Sequence, residues 1–401
     1  MSSSEHVGSR RAPDTSYRNK PQASSPWSQL ADLGALPTQT GVDARSGYVL
    51  AVLLPLAAAA RVFDWHSLVV LVVNLGAIGF LSDIISSTAD DLADQLGHLQ
   101  GALIGATLGN TVELTSGLLA LAHGDIIFAQ SVMVGSILSD ILLIFGCCLV
   151  TASYNRHILE FNSALAKTLS SLMMITAVTM LLPTALYSSF PVSELDDRVL
   201  VFSRATAFVL FALYGGYLYF HMGTHKHMFL EEDGSSHGGE DEDDEENDST
   251  PSTPKPDLSS GPAMASAVIR LAAAVAATIF CTEMILEDTN DMVNTLGFSK
   301  IFIAVIIIPI ASNSTEGTAV ISAARSGDTD SAIRVIVDSI LQIGLFVIPF
   351  MVVVGWAIGQ PMTLFYDSFQ SGIMFLAVLV VNHLLRDGQY AYIHGAMLIT
   401  L

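Results

Sequence analysis

The sequence consists mainly of long apolar stretches separated by short polar connections. About ten or eleven of these stretches approach the roughly 20 residues that a helix needs to cross a bilayer. They cover residues 47–62, 66–86, 98–121, 126–151, 163–187, 200–222, 263–286, 298–322, 330–358, 368–386 and 389–401. With 51% hydrophobic and 14% charged residues, the composition excludes a disordered chain. The pattern predicts an all-α polytopic membrane protein.

Two of the apolar stretches carry the same polar motif. In each, an asparagine precedes a glutamate by three positions, as Asn110 and Glu113 and again as Asn313 and Glu316. The match continues downstream at the same offset of 203 positions, with Gly124-Asp125 and Gly327-Asp328, and with Ser136 and Ser339. A carboxylate at hydrocarbon depth is costly and is by default an ion site. Two such sites in repeated halves indicate a transporter with its site at the repeat interface.

The residue types in these motifs suit a hard cation. Ca²⁺ takes about 6–8 oxygen ligands from carboxylates, amide and backbone carbonyls, hydroxyls and water. Glu113 and Glu316 would neutralise one divalent ion, and Asn110 and Asn313 would add amide oxygens. Without the ion, a low dielectric favours the neutral carboxyl, so protons can replace the cation. The alternative is that each glutamate is a structural group paired with a neighbouring helix, which two repeat-related positions make less favourable.

The helices that follow each motif carry further polar side chains. Gln130 and Ser136 follow the first motif, and Ser339 and Gln342 follow the second. They are candidates for a second layer of ligands around the same cavity. The alternative is ordinary hydrogen bonding between helices, which is the usual role of Ser and Gln in membrane bundles. Asp140 and Asp338 are costly if buried, so each is expected to face a cavity or to have a partner.

One long polar connection divides the chain. We expect a disordered cytosolic tail over 1–45, a leading helix over 46–65, a first five-helix repeat over 66–224, an acidic connector over 225–261 and a second five-helix repeat over 262–401. An odd number of helices per repeat predicts that the halves are inverted in the membrane. The distribution of Lys and Arg places the N-terminus and the connector in the cytosol.

Much of the net charge of −21 comes from the connector, and it indicates no nucleic-acid partner. Its Glu240, Asp241 and Glu242, together with Asp90, Asp91 and Asp94 at the end of the second apolar stretch, could attract cations to a cytosolic vestibule. A solvated loop without such a role is the alternative for both groups.

At these motifs the chain resembles the calcium/proton exchangers of the cation/Ca²⁺ exchanger superfamily, particularly the fungal vacuolar type. The resemblance covers roughly residues 45–401 and rests on the segments 109–114, 135–139, 296–300 and 345–350 running to Gly355-Trp356. It implies eleven helices, with one leading helix and two inverted five-helix repeats. It also implies an antiporter in the membrane of a vacuole or similar acidic organelle, with no enzymatic activity and no cofactor. Ca²⁺ and H⁺ would be the transported partners, alternating on Glu113 and Glu316.

The chain departs from the pattern of that family at several positions. Ser312 and Gly317 flank the second glutamate where the family usually has Gly and His, while Asp140 stands for Asn and Asp338 for Gly. These changes keep two alternatives open: exchange of another divalent ion such as Mn²⁺ or a Na⁺-coupled mode, and a non-transporting membrane scaffold or sensor. The last apolar stretch, of about 13 residues, is short for a bilayer, so we expect a short or truncated final helix.

Overall fold

Helices account for nearly all of the residues that the computed structural model describes, which are 39–63, 65–96, 107–154, 159–160, 163–188, 196–220, 261–387 and 389–401. In chain order they are α1 (Gln39–Val62), α2 (Ser67–Leu96), α3 (Thr111–Ala122), α4 (Ile126–Ser153), α5 (Ser163–Tyr187), α6 (Asp196–Tyr219), α7 (Gly261–Leu296), α8 (Lys300–Ser312), α9 (Ser314–Ser326), α10 (Thr329–Ile358), α11 (Ser368–Asp387) and α12 (Tyr392–Thr400). Two short strands, β1 (Leu159–Glu160) and β2 (Gln389–Tyr390), pair antiparallel.

The prediction of an all-α membrane protein is confirmed. Seven described helices are long and apolar enough to cross a membrane, or eight if α8 and α9 form one bent span. The apolar part of α1 and the whole of α3 are shorter, and α12 has 9 residues. Length and composition do not test the predicted count of eleven spans, which stays a prediction.

Several helices extend beyond the boundaries that the sequence predicts. α1 begins at Gln39, inside the predicted tail, while α2 continues to Leu96 and α7 to Leu296. Hydropathy marks only the apolar part of a helix, whereas its end depends on capping and packing. Residues 1–38 and 221–260, which include most of the predicted tail and nearly all of the acidic connector, lie outside the described residues.

The described helices repeat in order. A long helix, a span broken at an asparagine, a second long helix and two further helices occur as α2 to α6 and again as α7 to α12. Matching helices pack across the two halves: α2 packs against α7, and α5 against α11. In the same manner α6 packs against the last part of α10, and α12 against the last part of α4. The two repeats are therefore interleaved, although their inversion across the membrane stays a prediction.

The interruption of each broken span falls at the motif asparagine. Asn110 has φ −100° and ψ 28°, Asn313 has φ −84° and ψ 6°, and the helices on either side of Asn313 meet at 52°. At the far end of α3 and α9, Gly124 and Gly327 adopt φ of +76° and +96°. Each motif asparagine therefore lies between two helical segments.

The two long central helices also share an irregular turn. Ser139–Ile144 in α4 and Ile343–Val347 in α10 are π-helical, at positions related by the repeat offset. A third π-helical turn, Ile303–Ile307, lies in α8. Such turns are frequent at functional sites because they change the direction of side chains within a helix. The irregular turn begins three residues after Ser136 in α4 and four residues after Ser339 in α10.

Glycines allow the closest helix crossings. A β-carbon at Gly135 of α4 would lie 2.3 Å from the backbone oxygen of Val305 in α8. A β-carbon at Gly395 of α12 would lie 2.5 Å from the backbone oxygen of Gly146 in α4. Both crossings join elements of different repeats, so α4 is held against the second half at two points along its length.

Candidate functional site

The site is built where the two half-helices begin. α3 and α9 each carry a glutamate in the first turn, Glu113 and Glu316 respectively. The backbone oxygens of Asn110 and Asn313 accept the first helical hydrogen bonds, from the N–H groups of Leu114 and Gly317, each at 2.9 Å. A helix N-terminus stabilises nearby negative charge, which favours a carboxylate in this position. Glu113 is only 4% exposed, and Glu316 is half-buried.

Ser136 of α4 connects the two motifs. Its hydroxyl lies 3.2 Å from Oε1 of Glu113 and 3.1 Å from Oδ1 of Asn313, and can donate to one of them at a time. The Ser136 side chain has no solvent exposure. A single hydroxyl therefore joins the first glutamate to the second asparagine, across the two repeats.

Asp140 lies one helical turn beyond Ser136 and is also fully buried. Its Oδ1 accepts a hydrogen bond from Nδ2 of Asn313 at 2.7 Å. Its Oδ2 accepts a hydrogen bond from Oγ of Ser339 at 2.9 Å. The expectation that this aspartate has partners is met, and both partners belong to the second repeat.

A reciprocal contact holds the first asparagine. Nδ2 of Asn110 donates to Oε1 of Gln342 on α10 at 3.0 Å. Each motif asparagine thus uses its amide nitrogen to bind a side chain on the long central helix of the other repeat. The carboxyl group of Glu316 in turn lies within hydrogen-bonding reach of the Ser339 hydroxyl.

Asp338, the second costly aspartate, also has a partner. Its Oδ1 accepts a hydrogen bond from the hydroxyl of Tyr217 on α6. The matching position in the first repeat is Gly135, which lets α4 approach α8 closely. The aspartate in the second repeat therefore makes a side-chain contact to α6 where the first repeat has a close backbone crossing.

The structure brings together most of the predicted site residues, but not all of them. Gln130 lies elsewhere on α4. Its side-chain amide nitrogen, Nε2, donates to the backbone oxygens of Thr363 at 2.8 Å and Phe365 at 3.2 Å. These contacts hold the segment after α10 and match the interhelical alternative. A ligand role for Gln130 stays a prediction that these contacts do not favour.

The predicted cytosolic vestibule is only partly visible. Asp91 lies 3.7 Å from Nη2 of Arg270, an ion pair between α2 and α7. The side chains of Asp90 and Asp94, and all of Glu240, Asp241 and Glu242, lie outside the described residues. The ion pair gives Asp91 a structural contact, and a role in attracting cations stays a prediction for the whole group.

The sequence left the role of Asp140 open and singled out Ser312 beside the second glutamate. In the structure, Asp140 lies within the hydrogen-bond network, and the Ser312 hydroxyl lies 3.2 Å from Oδ1 of Asn313. Nothing in the sequence indicated the π-helical turns. Within the described part of the chain, no group of three or more His, Cys, Asp or Glu side chains is arranged to hold a metal ion. The candidate site is of another kind, since it combines carboxylates with amide and hydroxyl oxygens.

Similar proteins are found by sequence over most of the chain. The family described as sodium/calcium exchanger protein matches residues 66–223 and 266–401. A protein of Schizosaccharomyces pombe named vacuolar calcium ion transporter is 32% identical over 354 residues, covering 88% of this chain and 82% of its own. A protein of Synechocystis named Ca(2+)/H(+) antiporter is 32% identical over 356 residues, covering 88% of this chain and 93% of its own.

Solved structures show the same fold. Native YfkE superposes with a TM-score of 0.70 at 24% identity, covering 88% of this chain and 96% of that one. The crystal structure of the H⁺/Ca²⁺ exchanger CAX gives a TM-score of 0.66 at 16% identity, covering 90% of this chain and 87% of that one. The resemblance predicted from the motifs is confirmed. The family match covers both halves of the chain, which belongs to the sodium/calcium exchanger protein family.

Proposed function

We propose that this protein is a secondary antiporter that moves Ca²⁺ from the cytosol into an acidic organelle, the vacuole or its equivalent, in exchange for H⁺. The observation that carries the proposal is the network joining Glu113, Ser136 and Asn313 across the two repeats. It places carboxylate, hydroxyl and amide oxygens together inside a membrane helix bundle, as a hard cation requires. Relatives named vacuolar calcium ion transporter and Ca(2+)/H(+) antiporter support the choice of ions and compartment.

The two glutamates carry the exchange. With Glu113 and Glu316 ionised, a cytosolic Ca²⁺ ion binds between them. The hydroxyl groups of Ser136 and Ser339 rotate so that their oxygen lone pairs face the ion. Asn110 and Asn313 add amide oxygens. Movement of one helix bundle against the other then exposes the site to the lumen. There, a high proton concentration neutralises the carboxylates and releases the ion, and the protonated site returns to the cytosolic side.

The position of the glutamates suits both steps. Each lies in the first turn of a half-helix, where the aligned backbone dipoles stabilise its charge. Each is also enclosed enough that an uncompensated charge is costly, so a cation or a proton must accompany it. The site is therefore expected to be occupied by one or the other during movement, which couples the two fluxes.

Transport into vesicles tests this proposal. The purified protein is reconstituted with an acidic interior, and ⁴⁵Ca²⁺ uptake is followed before and after the pH gradient is collapsed. We expect uptake that depends on the gradient and falls by at least about 100-fold in Glu113→Gln and Glu316→Gln, because a neutral amide cannot alternate between ion and proton.

Glu287→Gln is the matched control. Glu287 forms an ion pair with Arg61 at 2.7 Å, and both side chains are more than 40% exposed. Exposed pairs contribute about 0–1 kcal/mol, so uptake should be unchanged. Uptake that survives either site substitution contradicts the assignment of the glutamates. Folded wild-type protein without any uptake supports a scaffold or sensor, and stronger competition by Mn²⁺ than by unlabelled Ca²⁺ supports the other divalent ion.

A further inference from the structure

The Asp140 carboxylate is not used by the mechanism above, although it lies inside the network. It has no solvent exposure, and both of its oxygens accept hydrogen bonds from the second repeat, at 2.7 Å from Asn313 and 2.9 Å from Ser339. The amide of Asn313 turns its nitrogen toward Asp140, and the same nitrogen also lies 3.3 Å from the backbone oxygen of Ser136.

That orientation decides what Asn313 offers to a cation. With Nδ2 directed at Asp140, Oδ1 lies on the opposite side of the amide, 3.1 Å from the Ser136 hydroxyl and 3.2 Å from that of Ser312. This is also the side of Glu113, which Ser136 contacts. An amide oxygen is a ligand for hard cations, whereas an amide N–H group is not. The reversed amide would present its N–H groups to the ion.

The contact that the first motif asparagine makes with Gln342 is of a different kind. Nδ2 of Asn110 binds Oε1 of Gln342 at 3.0 Å, and a glutamine amide has both a donor and an acceptor end. Gln342 alone does not impose one orientation on its partner. The position that matches Asp140 by the repeat offset is Ile343, which has no polar side chain. The carboxyl group that binds Asn313 therefore has no polar counterpart at the position related by the repeat offset.

We propose that Asp140 is a positioning residue of the cation site: by accepting a hydrogen bond from Nδ2 of Asn313, it directs the Asn313 amide oxygen toward the bound Ca²⁺. This inference rests on the proposed function for the identity of the ion. Asp140 acts through Asn313 rather than by its own charge. Removing the acceptor should therefore weaken Ca²⁺ binding, whereas replacing the carboxylate with another acceptor of the same shape should not.

Two substitutions separate these contributions. In Asp140→Asn, the amide oxygen can still accept from Asn313 and the amide nitrogen can donate to Ser339, so Ca²⁺ binding should stay within about threefold of the wild type. Asp140→Leu keeps the branching of the side chain, although it is larger, and has no acceptor. Binding should weaken about tenfold, because the buried amide nitrogen of Asn313 loses its shortest hydrogen bond. In uptake assays the same change should appear in the KM for Ca²⁺ rather than in the maximal rate.

A double-mutant cycle tests whether the effect passes through Asn313. Equilibrium ⁴⁵Ca²⁺ binding is measured on purified full-length protein at one pH for Asp140→Leu, Asn313→Ala and the double variant. Residues in one hydrogen-bond network are coupled, so Asp140→Leu should add less than about twofold to Asn313→Ala. Asp140→Ala, with a smaller side chain, replaces Asp140→Leu if that variant does not fold. Asn382→Ala, which removes a buried amide bonded to Ser170, should leave binding unchanged.

The possible outcomes are distinct. The inference is overturned if Asp140→Asn binds Ca²⁺ as weakly as Asp140→Leu, because charge would then be the cause. It is also overturned if the effects of Asp140→Leu and Asn313→Ala multiply fully. Wild-type protein that binds Ca²⁺ without exchanging it for protons contradicts the proposed function alone, and the cycle still decides the role of Asp140. Wild-type protein that binds no Ca²⁺ contradicts both.

Discussion

Single positions related by the repeat offset differ in what they do. Gly135 allows α4 to approach α8, while its counterpart Asp338 binds Tyr217. Asp140 binds Asn313 and Ser339, while its counterpart Ile343 is an apolar core residue. A duplicated fold therefore keeps its glutamates, asparagines and serines at matching positions and diverges in the residues that hold them. Residue-level changes should have effects that depend on which repeat carries them.

Two glycine substitutions illustrate this dependence. A β-carbon at Gly135 would lie 2.3 Å from the Val305 backbone oxygen, whereas one at Gly317 would lie 3.5 Å from the nearest atom, on Ile144. Overpacking against backbone costs about 1–3 kcal/mol, so Gly135→Ala should lower the unfolding temperature by several degrees. Gly317→Ala should leave it unchanged or raise it, because alanine gains about 0.5–1 kcal/mol over glycine within a helix.

Thermal unfolding of the purified protein in detergent, followed by loss of the folded peak on size exclusion, measures both glycine variants. The two changes add the same methyl group to helices close to the site, so each serves as the control for the other. Equal destabilisation by both variants would show that the close crossing of α4 and α8 is not the reason why a side chain at position 135 is costly.

At the scale of elements, the sequence predicted much of the organisation, and what it missed has physical reasons. The apolar stretches located the helices because hydropathy reports burial in lipid or protein. The repeated Asn and Glu located the site because such residues are costly in a membrane. The helix extensions at α1, α2 and α7 were missed because they are polar, and the π-helical turns were missed because no residue pattern specifies them. The sequence did not determine which groups Asp140 and Gln130 contact, because polar side chains in a bundle have many potential partners.

The corner that follows each half-helix is a second element-level feature. Asp125 accepts a hydrogen bond from the N–H of Phe128 at 3.2 Å, and Asp328 accepts one from the N–H of Ser331 at 3.1 Å. Each aspartate follows a glycine with positive φ. Each glycine–aspartate pair ends a half-helix and begins the long central helix that follows it. Its presence in both repeats indicates that the corner fixes the direction of the site helices relative to α4 and α10.

We expect Asp328→Ala to destabilise the protein by about 1 kcal/mol, since it removes the N-cap of α10. Asp328→Asn should keep most of that stability, because its side-chain oxygen can still accept from Ser331. Both variants can be compared by unfolding temperature and by Ca²⁺ uptake. Asp328 is exposed, so the loss of its charge should matter little, and equal destabilisation by both variants would identify charge rather than capping as the cause.

The whole molecule is held together by contacts between its repeats. α2 packs on α7, α5 on α11, α6 on α10 and α12 on α4. The site follows the same arrangement, since Asn110 binds Gln342 while Asn313 binds Asp140 and lies against Ser136. Neither half contains a complete set of these contacts. A half without the other would expose apolar helix faces and leave buried amides and carboxylates without their partners, which is costly in a membrane interior.

Separating the chain within the connector tests this interdependence. We expect fragments 1–240 and 241–401, expressed separately, to give no gradient-driven Ca²⁺ uptake, because each lacks one glutamate and half of the hydrogen-bond network. Co-expression should restore uptake, since the contacts between the repeats do not require a covalent connection at that point. An affinity tag on one fragment should recover the other in equal amounts.

A pair divided at Gly372, inside α11, is the control and should not recover uptake, because the break interrupts a helix that packs on α5. Uptake by either connector fragment alone would show that one repeat suffices for the site.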